Sequence, residues 1–429
     1  MSELTSVKEI IAFQEQELQK LLHYLSLNSP FYKKLFSANT INISDIKTIG
    51  DLQKIPFTTK DDLQKYNSDF ICVAPVQIID YVTTSGTMGE PVTIALTDKD
   101  LDRLAINECN SFKTAGGSNV DIYQLMTTID RRFMAGLAYF LGARKLGAGI
   151  VRVGNGIPEL QWDTIKRISP TVIICVPSFI LKLIEYAENN GIDYKNCSIK
   201  KAICIGEPLR NEDLSLNTLG NKILEKWCLQ LHSTYASSEM GAAFTECAEG
   251  KGGHLPAELL IIEIVDENDN PVKPSELGEL VITTLGIEGM PLLRFKTGDI
   301  CRVYTEDCSC GNRTVRISPV LGRKKQMIKY KGTTLYPSSL YDILDTIDEV
   351  NNYQVEVYTN EIGTDEILIK IDCQLLSENL EKEIKDRFRA RLRVAPAIQF
   401  VKSDTLNKLL FSAMSRKPLK FIDKRTPLI

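Results

Sequence analysis

Short apolar runs that alternate with helical patterns, between about residues 70 and 230, constrain the fold of this chain most. Residues 172–176 form one run, which stops at Pro177, and residues 201–205 form another, which stops at Gly206. Helical spacing of apolar side chains follows the first run, over residues 180–187. Short strands that are apolar on both faces and alternate with helices are typical of parallel sheets covered by helices.

The rest of the sequence predicts two further regions. Residues 258–304 contain strand-like runs separated by turn residues, the last run being 299–304, and this pattern predicts an antiparallel region. After about residue 323, strand-like segments and a charged amphipathic helix predict a small α+β domain. The predicted fold is therefore α/β: a large N-terminal domain of layered α/β sheets with a small strand region (1–322), and a small α+β C-terminal domain (323–429).

Composition excludes several classes of protein. The chain has 429 residues, 43% apolar and 25% charged, as in an ordinary globular protein. No stretch approaches the roughly 18 consecutive apolar residues of a membrane span, and residues 1–22 lack the pattern of a secretory signal. The net charge of −4 gives no basic excess for nucleic acid. We expect a cytoplasmic protein with no membrane or nucleic-acid partner.

A loop rich in glycine and hydroxyl groups follows a strand-like segment that begins at Tyr81. It contains Ser85, Gly86, Thr87 and Gly89. Such a loop can turn backbone N–H groups and hydroxyls toward a phosphate, although it is not a Walker A loop. A polar turn between two strands is an equally good interpretation of these residues alone.

Two carboxylates lie in motifs that also suit a nucleotide. Asp299 follows a Thr-Gly turn and can accept hydrogen bonds from a ribose diol. Glu239 follows Tyr235-Ala-Ser-Ser and can hold Mg²⁺ close to a phosphate loop. A strand-end turn remains the alternative for Asp299, and a solvated linker is the alternative for the basic segment that begins with Gly322 and Arg323.

The order of these motifs resembles that of the adenylate-forming superfamily, and within it the phenylacetate–CoA ligase family. Along the chain the order is Thr-Ser-Gly-Thr-x-Gly-x-Pro, Tyr-x-x-x-Glu, Gly-Glu-Leu-Val-x-Thr, Pro-Leu-Leu-Arg-x-x-Thr-Gly-Asp and Gly-Arg. Residues 29–32, 56–60, 177–178 and 206–208 add to the resemblance, which covers the chain from about residue 25 to its end.

The resemblance implies a ligase that activates a carboxylic acid with ATP, releases pyrophosphate and passes the acyl group to the thiol of CoA. The implied cofactors are ATP/AMP, CoA and Mg²⁺, and the implied assembly is a homodimer. The small domain would be a mobile lid that rotates about Lys325, for which a surface lysine is the alternative interpretation. Both steps build negative charge on oxygen, so cations and fixed donors should dominate catalysis.

The resemblance also implies roles for individual residues. The glycine-rich loop would grip the phosphates, residues 206–208 and Tyr235 would border the adenine, and Arg323 would reach the nucleotide. The implied nucleotide-binding set is Ser85, Gly86, Thr87, Gly89, Gly206, Glu207, Pro208, Tyr235, Ala236, Ser238, Glu239, Asp299 and Arg323. The implied catalytic residues are Thr87, Glu239 and Lys417; Lys417 lies in an ending similar to Gly-Lys-x-x-Arg-x-x-Asp, with Lys408 and Lys420 as alternatives.

Cysteine and histidine residues suggest a second kind of site. Cys247, His254, Cys308 and Cys310 together match a structural zinc set, and free buried thiols are the alternative. Some family members resemble this arrangement, Glu-Cys…Gly-x-His…Cys-x-Cys-Gly, which favours structural Zn²⁺.

The resemblance also implies that the acid pocket lies in residues 127–136 and just after Tyr235. Arg131 or Arg132 would there meet a polar or second acidic group of the substrate, and solvent-facing or CoA-binding arginines are the alternative.

Two other functions stay open at this stage. The chain can load a carrier-protein phosphopantetheine instead of free CoA, because the thiol chemistry is identical. It can also be a non-catalytic nucleotide-binding homologue, an alternative motivated by Met88, Lys325 and the residues around Lys417.

Overall fold

The computed structural model describes residues 6–84, 91–360, 364–373, 379–410 and 418–425. The chain divides into two compact units: Met1–Leu216 with Gly220–Val320, and Asn217–Leu219 with Leu321–Ile429. The described helices of the first unit are α1 (Val7–Asn28), α2 (Pro30–Ala38), α3 (Lys60–Lys65), α4 (Asp98–Thr114), α5 (Met134–Leu146), α6 (Pro158–Ile168), α7 (Pro177–Asn189) and α8 (Thr218–Lys226), the last without its first two residues. Its described strands are β1 (Ile78–Thr83), β2 (Thr93–Thr97), β3 (Ile122–Leu125), β4 (Gly149–Arg152), β5 (Val172–Cys175), β6 (Lys201–Ile205), β7 (Gln230–Ser237), β8 (Ala242–Glu246), β9 (Gly253–His254), β10 (Leu260–Val265), β11 (Gly278–Thr284), β12 (Phe295–Cys301), β13 (Val303–Tyr304) and β14 (Arg316–Ile317).

A nine-stranded sheet forms the main layer of the first unit, in the order β13-β14-β9-β8-β7-β6-β5-β3-β4. The half from β4 to β7 is parallel, and the half from β7 to β13 is antiparallel. All four residues of β5 are buried, as expected for a parallel strand covered on both faces. The strands β10, β11 and β12 form the antiparallel region that the sequence predicts.

The single strand predicted over residues 299–304 is wrong. β12 ends at Cys301, and β13 begins at Val303 in the nine-stranded sheet. Between them, the backbone N–H of Arg302 donates to the hydroxyl of Ser318 at 3.0 Å. The carbonyl of Arg302 accepts from the backbone N–H of Ser318 at 2.9 Å, so both backbone groups of Arg302 have partners where the chain passes from one sheet to the other.

Local capping signals position the helices that precede the site. Ser29 ends α1 and also begins α2, where its hydroxyl accepts from the backbone N–H of Tyr32. At the start of α3, the Thr59 hydroxyl accepts from the Asp62 N–H at 3.1 Å, and the Asp62 carboxylate accepts from the Thr59 N–H at 2.9 Å. This reciprocal cap fixes Lys60 as the first residue of α3.

The second unit has its own sheet and core. Its described elements are β15 (Gly322–Arg323), β16 (Ile328–Tyr330), β17 (Thr333–Leu335), α9 (Pro337–Leu344), β18 (Val350–Thr359), β19 (Asp365–Cys373), α10 (Leu380–Leu392), β20 (Ala397–Phe400), α11 (Ser403–Leu410) and β21 (Phe421–Asp423). The sheet order is β20-β19-β18-β21, with an antiparallel central pair and parallel outer strands. The predicted helix is present as α10, and Leu380, Ile384 and Phe388 are buried on its inner face.

The helices α4 and α5 approach each other closely at Gly142. A Cβ atom at this position would lie 2.3 Å from the Cβ of Glu108. We therefore expect Gly142→Ala to lower the free energy of unfolding by about 1–3 kcal/mol, since the helices must separate. Denaturant unfolding measures the change. Gly50→Ala is the control, because the nearest atom there is 3.7 Å away, and a similar loss in both variants would contradict the expectation.

Glu108 is a buried carboxyl group in the same interface. Its Oε1 accepts from Asn107 Nδ2 at 3.0 Å, whereas Oε2 has no hydrogen-bond partner among the described residues. Burial raises the pKa of Glu108 from 4.5 to about 8. The folded chain therefore keeps a proton that the unfolded chain loses, and stability falls as the pH rises from about 4.5 to about 8.

We expect Glu108→Gln to flatten this dependence of stability on pH. Unfolding in denaturant, measured between about pH 5 and pH 9, compares the slopes of the two proteins. Equal slopes in the variant and the wild type would show that Glu108 ionises in the folded chain as it does in the unfolded one.

Candidate functional site

The carboxyl ends of the parallel strands meet at one edge of the nine-stranded sheet. Strands β6 and β7 pair in register, with Ile205 opposite Thr234, and β5 and β3 continue the parallel arrangement. Ligands of open α/β sheets usually bind at this edge. The segments that end or follow these strands are 127–136, 177–178, 206–208 and 235–239.

Glu207 holds two of these segments together. One carboxylate oxygen accepts from the backbone N–H of Ser178, and the other accepts from the Ser178 hydroxyl, both at 3.0 Å. Ser178 lies in the first turn of α7, where unpaired N–H groups favour a carboxylate. Gly206 has a φ of +75°, and both Gly206 and Pro208 are exposed. The loop 206–208 is therefore fixed in conformation and open to solvent.

Tyr235 and Asp299 are joined by a hydrogen bond between two sheets. The Tyr235 hydroxyl, on β7, donates to Oδ2 of Asp299, on β12, at 2.6 Å. Burial, and then the Asp299 carboxylate, raise the pKa of Tyr235 well above its ordinary value. The ring of Tyr235 stacks on Phe244 with 5.8 Å between centroids. The hydrogen bond thus joins two residues that belong to separate sequence motifs and lie 64 positions apart in the chain.

Glu239 lies beside a cation that the sequence analysis had not identified as functional. The ammonium of Lys60 is 3.9 Å from Oε1 of Glu239, and both side chains are largely shielded from solvent. The sequence resemblance includes Lys60 at the end of the segment 56–60 but assigns it no role. Of the other residues near Glu239, Ala236 is exposed and Ser238 is half-buried.

Glu239 is one of the residues that line a narrow cavity. Met134, from the predicted acid-pocket segment, lines it together with Ser238 and Gly241. Neither Arg131 nor Arg132 lines it, and both side chains are exposed. The remaining lining residues are Leu63, Ile94, Leu96, Asp100, Arg103, Leu104, Ile287, Met290 and Leu292.

Two of the three charged residues that line this cavity, Arg103 and Asp100, hold backbone groups. Arg103 donates to the carbonyls of Leu285 and Gly241, at 2.6 and 2.7 Å, and to a third carbonyl at 2.8 Å. Asp100 accepts from the N–H groups of Glu288 and Gly289 at 2.7 and 2.9 Å. The free surface of the cavity is therefore mainly apolar.

Cys247, His254, Cys308 and Cys310 form a compact cluster. All four ligand atoms lie within 4.8 Å of one another. The Cys247 and Cys308 sulfurs are 3.7 Å apart, and the Cys310 sulfur is 3.4 Å from Nε2 of His254. Tetrahedral zinc, with Zn–S of about 2.3 Å and Zn–N of about 2.0 Å, requires separations of about 3.8 and about 3.5 Å.

His254 is suited to act as a ligand. Burial, and then Arg316, lower its pKa to about 4, so the ring is neutral near pH 7. Its Nδ1 lies 3.3 Å from the hydroxyl of Thr314, an outer partner that can orient the ring. The four residues therefore fit a closed zinc site.

Several predicted residues lie elsewhere. Ser85, Gly86, Thr87, Gly89 and Lys417 lie outside the described residues. In the second unit, Arg323 is part of β15, and Lys325 lies in the short 3-10 helix Lys324–Gln326.

The alternative lysines of the second unit differ in environment. Lys408 is exposed. Lys420 donates to the Tyr353 hydroxyl at 3.2 Å, and its ammonium lies 4.4 Å from the centre of that ring. The geometry therefore gives Lys420 a structural contact, and the choice of the adenylation lysine stays a prediction.

Among the described residues, no helix is both long enough and apolar enough to span a membrane.

Comparisons with known proteins identify the family. The AMP-binding enzyme profile matches residues 28–288, more than half of the chain, and the AMP-binding enzyme C-terminal domain matches residues 332–425. A phenylacetate–coenzyme A ligase of Thermus thermophilus is 30% identical over 388 residues, covering 88% of this chain and 84% of the relative. One from Escherichia coli is 30% identical over 400 residues, covering 91% and 89%.

Solved structures agree on the fold. A crystal structure of 2-hydroxyisobutyryl-CoA ligase in complex with R3-HIB-AMP has a TM-score of 0.84 at 20% identity, and the match covers 97% of this chain and 90% of that chain. The predicted α/β fold, with a large N-terminal domain and a smaller C-terminal domain, is confirmed. The predicted resemblance is confirmed as well, and the chain belongs to the AMP-binding enzyme family, with phenylacetate–coenzyme A ligases among its relatives.

Proposed function

We propose that the chain is an ATP-dependent carboxylic acid–CoA ligase that acts through an acyl-adenylate and releases AMP and pyrophosphate. Its family makes it an AMP-forming acid–thiol ligase. The observation that carries the proposal is the Tyr235–Asp299 bond, which brings a buried carboxylate to the strand edge where Glu239 also lies. One carboxylate suits a ribose diol, and the other suits a divalent cation.

The nucleotide occupies the exposed carboxyl edge of the sheet in this proposal. The loop 206–208 borders the adenine. Glu207 holds this loop against the start of α7, which supports a fixed binding surface there. Asp299 binds the ribose diol as a hydrogen-bond acceptor. Ser85, Gly86, Thr87 and Gly89 grip the phosphates, with Ala236 and Ser238 nearby and Arg323 reaching the nucleotide.

The chemistry proceeds in two displacements. The carboxylate oxygen of the acid attacks the α-phosphorus, and the bond to pyrophosphate breaks. The sulfur of CoA then attacks the acyl carbon, AMP leaves with the bonding electrons, and the thiol proton passes to solvent. Lys417 offsets the charge of the acid and the α-phosphate. Glu239 is the residue that would hold Mg²⁺, which neutralises phosphate charge when bound.

Lys60 adds a second cation to this region. Its ammonium lies 3.9 Å from Glu239, so the carboxylate is balanced before any nucleotide binds. A balanced carboxylate is less costly to hold in a shielded site than an unpaired one.

We assign the movement between the two steps to residues 323–429, as a lid that turns about Lys325. The placement of Lys325 in a short 3-10 helix, four residues after Leu321 begins the second unit, supports a hinge there. The homodimer that the resemblance implies, and the cytoplasmic location expected from the composition, belong to the same proposal. Light scattering of the purified chain tests the dimer.

The acid has a largely apolar body in this proposal. Leu63, Met134, Met290 and Leu292 line the cavity together with Glu239, and backbone groups occupy its Arg103 and Asp100. The exposure of Arg131 and Arg132 disfavours a second acidic group on the substrate. Such a surface suits an aryl or aliphatic acid.

We also propose that Cys247, His254, Cys308 and Cys310 hold one structural Zn²⁺. The spacing of their ligand atoms supports this, and four protein ligands leave no open position for a substrate. The ion would join the loop after β8 to the loop before β14 and would take no part in the reaction.

The first test is AMP release from ATP with a panel of aryl and aliphatic acids, with and without CoA. We expect CoA-dependent turnover on an apolar acid. Acid-dependent pyrophosphate exchange without CoA-dependent AMP release would indicate a carrier-protein acceptor. AMP binding without turnover or exchange on any acid would indicate a non-catalytic homologue.

Two variants test the assigned carboxylates. We expect Glu239→Gln to lower kcat by about 100-fold, because phosphate charge is no longer neutralised. Asp299→Asn should raise KM for ATP by about tenfold, because a charged acceptor is lost. Glu225→Gln, at an exposed position, is the control. Kinetics of all three that match the wild type would refute the assignments.

Metal content tests the zinc site. We expect about one zinc per chain by mass spectrometry, and a loss of zinc and a lower Tm in Cys247→Ser. Cys228→Ser is the matched control, because Cys228 is exposed and lies outside the cluster. A metal-free wild-type chain whose Tm does not respond to a chelator would contradict the site.

A further inference from the structure

Arg210 connects the loop that follows β6 to the strand that precedes the Cys/His cluster. It lies two residues after Pro208. Its Nε donates to Oε1 of Glu246 at 2.8 Å, and its Nη1 donates to the carbonyl of Leu214 at 3.1 Å. Glu246 directly precedes Cys247, the first residue of the cluster.

The Arg210–Glu246 pair is shielded from solvent and firmly held. The side chains are 13% and 3% exposed. The other oxygen of Glu246 accepts from the backbone N–H of Ser233 at 3.2 Å. Nδ1 of His232 lies 3.1 Å from the carbonyl of Glu246. Because both side chains are shielded and each has a further partner, we expect a shift of Glu246 to displace Arg210.

The guanidinium of Arg210 also rests on the loop between two of the cluster residues. A Cβ atom at Gly250 would lie 2.2 Å from Nη2 of Arg210, and Gly250 has a φ of +62°. The N–H of Gly250 donates to the carbonyl of Cys247 at 3.2 Å, which closes the turn. Glycine is therefore needed here both for the left-handed turn and for the approach of the guanidinium.

We propose that Arg210 is a positioning residue that couples the Cys/His cluster to nucleotide binding. Its guanidinium binds Glu246 and contacts Gly250, which lie on either side of Cys247. Its backbone continues from the loop 206–208 and so positions the end of that loop. A bound metal fixes the turn 247–254, the turn fixes the guanidinium, and the guanidinium fixes the loop. The inference rests on the proposed function, because it takes residues 206–208 to border the adenine.

Two properties follow from this coupling. Loss of the metal should weaken nucleotide binding and leave the acid pocket unaffected, because the cavity residues lie outside this chain of contacts. The effect must also be reciprocal: AMP should tighten zinc binding by the same factor by which zinc tightens AMP binding.

The experiment measures AMP affinity by calorimetry and zinc affinity by competition with a chelator, each with and without the other ligand. We expect about a tenfold coupling in the wild type, within the usual range for linked sites. In Arg210→Gln the coupling should disappear while zinc content stays at one per chain. KM for ATP should rise by about tenfold, with KM for the acid and kcat within about twofold.

Two further variants separate positioning from folding. Gly250→Ala keeps Arg210 but displaces its guanidinium, and we expect the same loss of coupling. Arg167→Gln removes an exposed ion pair on α6 and should leave the coupling unchanged.

The outcomes that overturn the inference are distinct from failure of the proposed function. Full coupling in Arg210→Gln, independent binding of zinc and AMP to the wild type, or a wild-type chain without zinc would each refute it. Failure of the wild type to bind AMP at all would refute the proposed function itself.

Discussion

Parallel pairing of β5, β6 and β7 is the constraint on which the candidate site depends. Parallel strands cannot be joined by tight turns, so each is followed by a crossover and all end at the same edge. The register of β6 and β7 places Gly206 beside Tyr235, although the two are far apart in the chain. The shared direction of the strands therefore brings the loops of the site together at one edge of the sheet.

The polar groups at this edge are preorganised by partners within the chain. Glu207 is held by Ser178, Asp299 by Tyr235, and Glu239 lies near Lys60. Groups held in place before the nucleotide arrives need little reorganisation when charge develops on the phosphate or acyl oxygen. Arg103 and Asp100 are likewise held in place, because they form hydrogen bonds with backbone groups. The cavity that they line is mainly apolar apart from Glu239.

The antiparallel half of the sheet serves a different purpose. It carries the Cys/His cluster, and the contacts of Arg210 with Glu246 and Gly250 link this cluster to the parallel half. Because a guanidinium offers donors in a fixed plane, one side chain can hold two segments at once. Arg210 thus connects the Cys/His cluster to the parallel half of the sheet through a side chain that is shielded from solvent.

Local signals were sufficient for much of the fold and for the family. Apolar runs that end at Pro177 and Gly206 gave β5 and β6, because periodicity acts within a few residues. The order of the motifs identified the family. Sequence alone also determined which cysteines and which histidine to group, but not that their ligand atoms come within 4.8 Å.

Only the tertiary structure decided what those motifs touch. The Tyr235–Asp299 bond, the approach of Lys60 to Glu239 and the switch of sheets at Arg302 join segments far apart in sequence. Arg210 had no periodic or motif signal, since its role comes from packing against Gly250. Sequence patterns reflect interactions between residues that are neighbours along the chain. The contacts named above depend instead on how distant segments pack against one another.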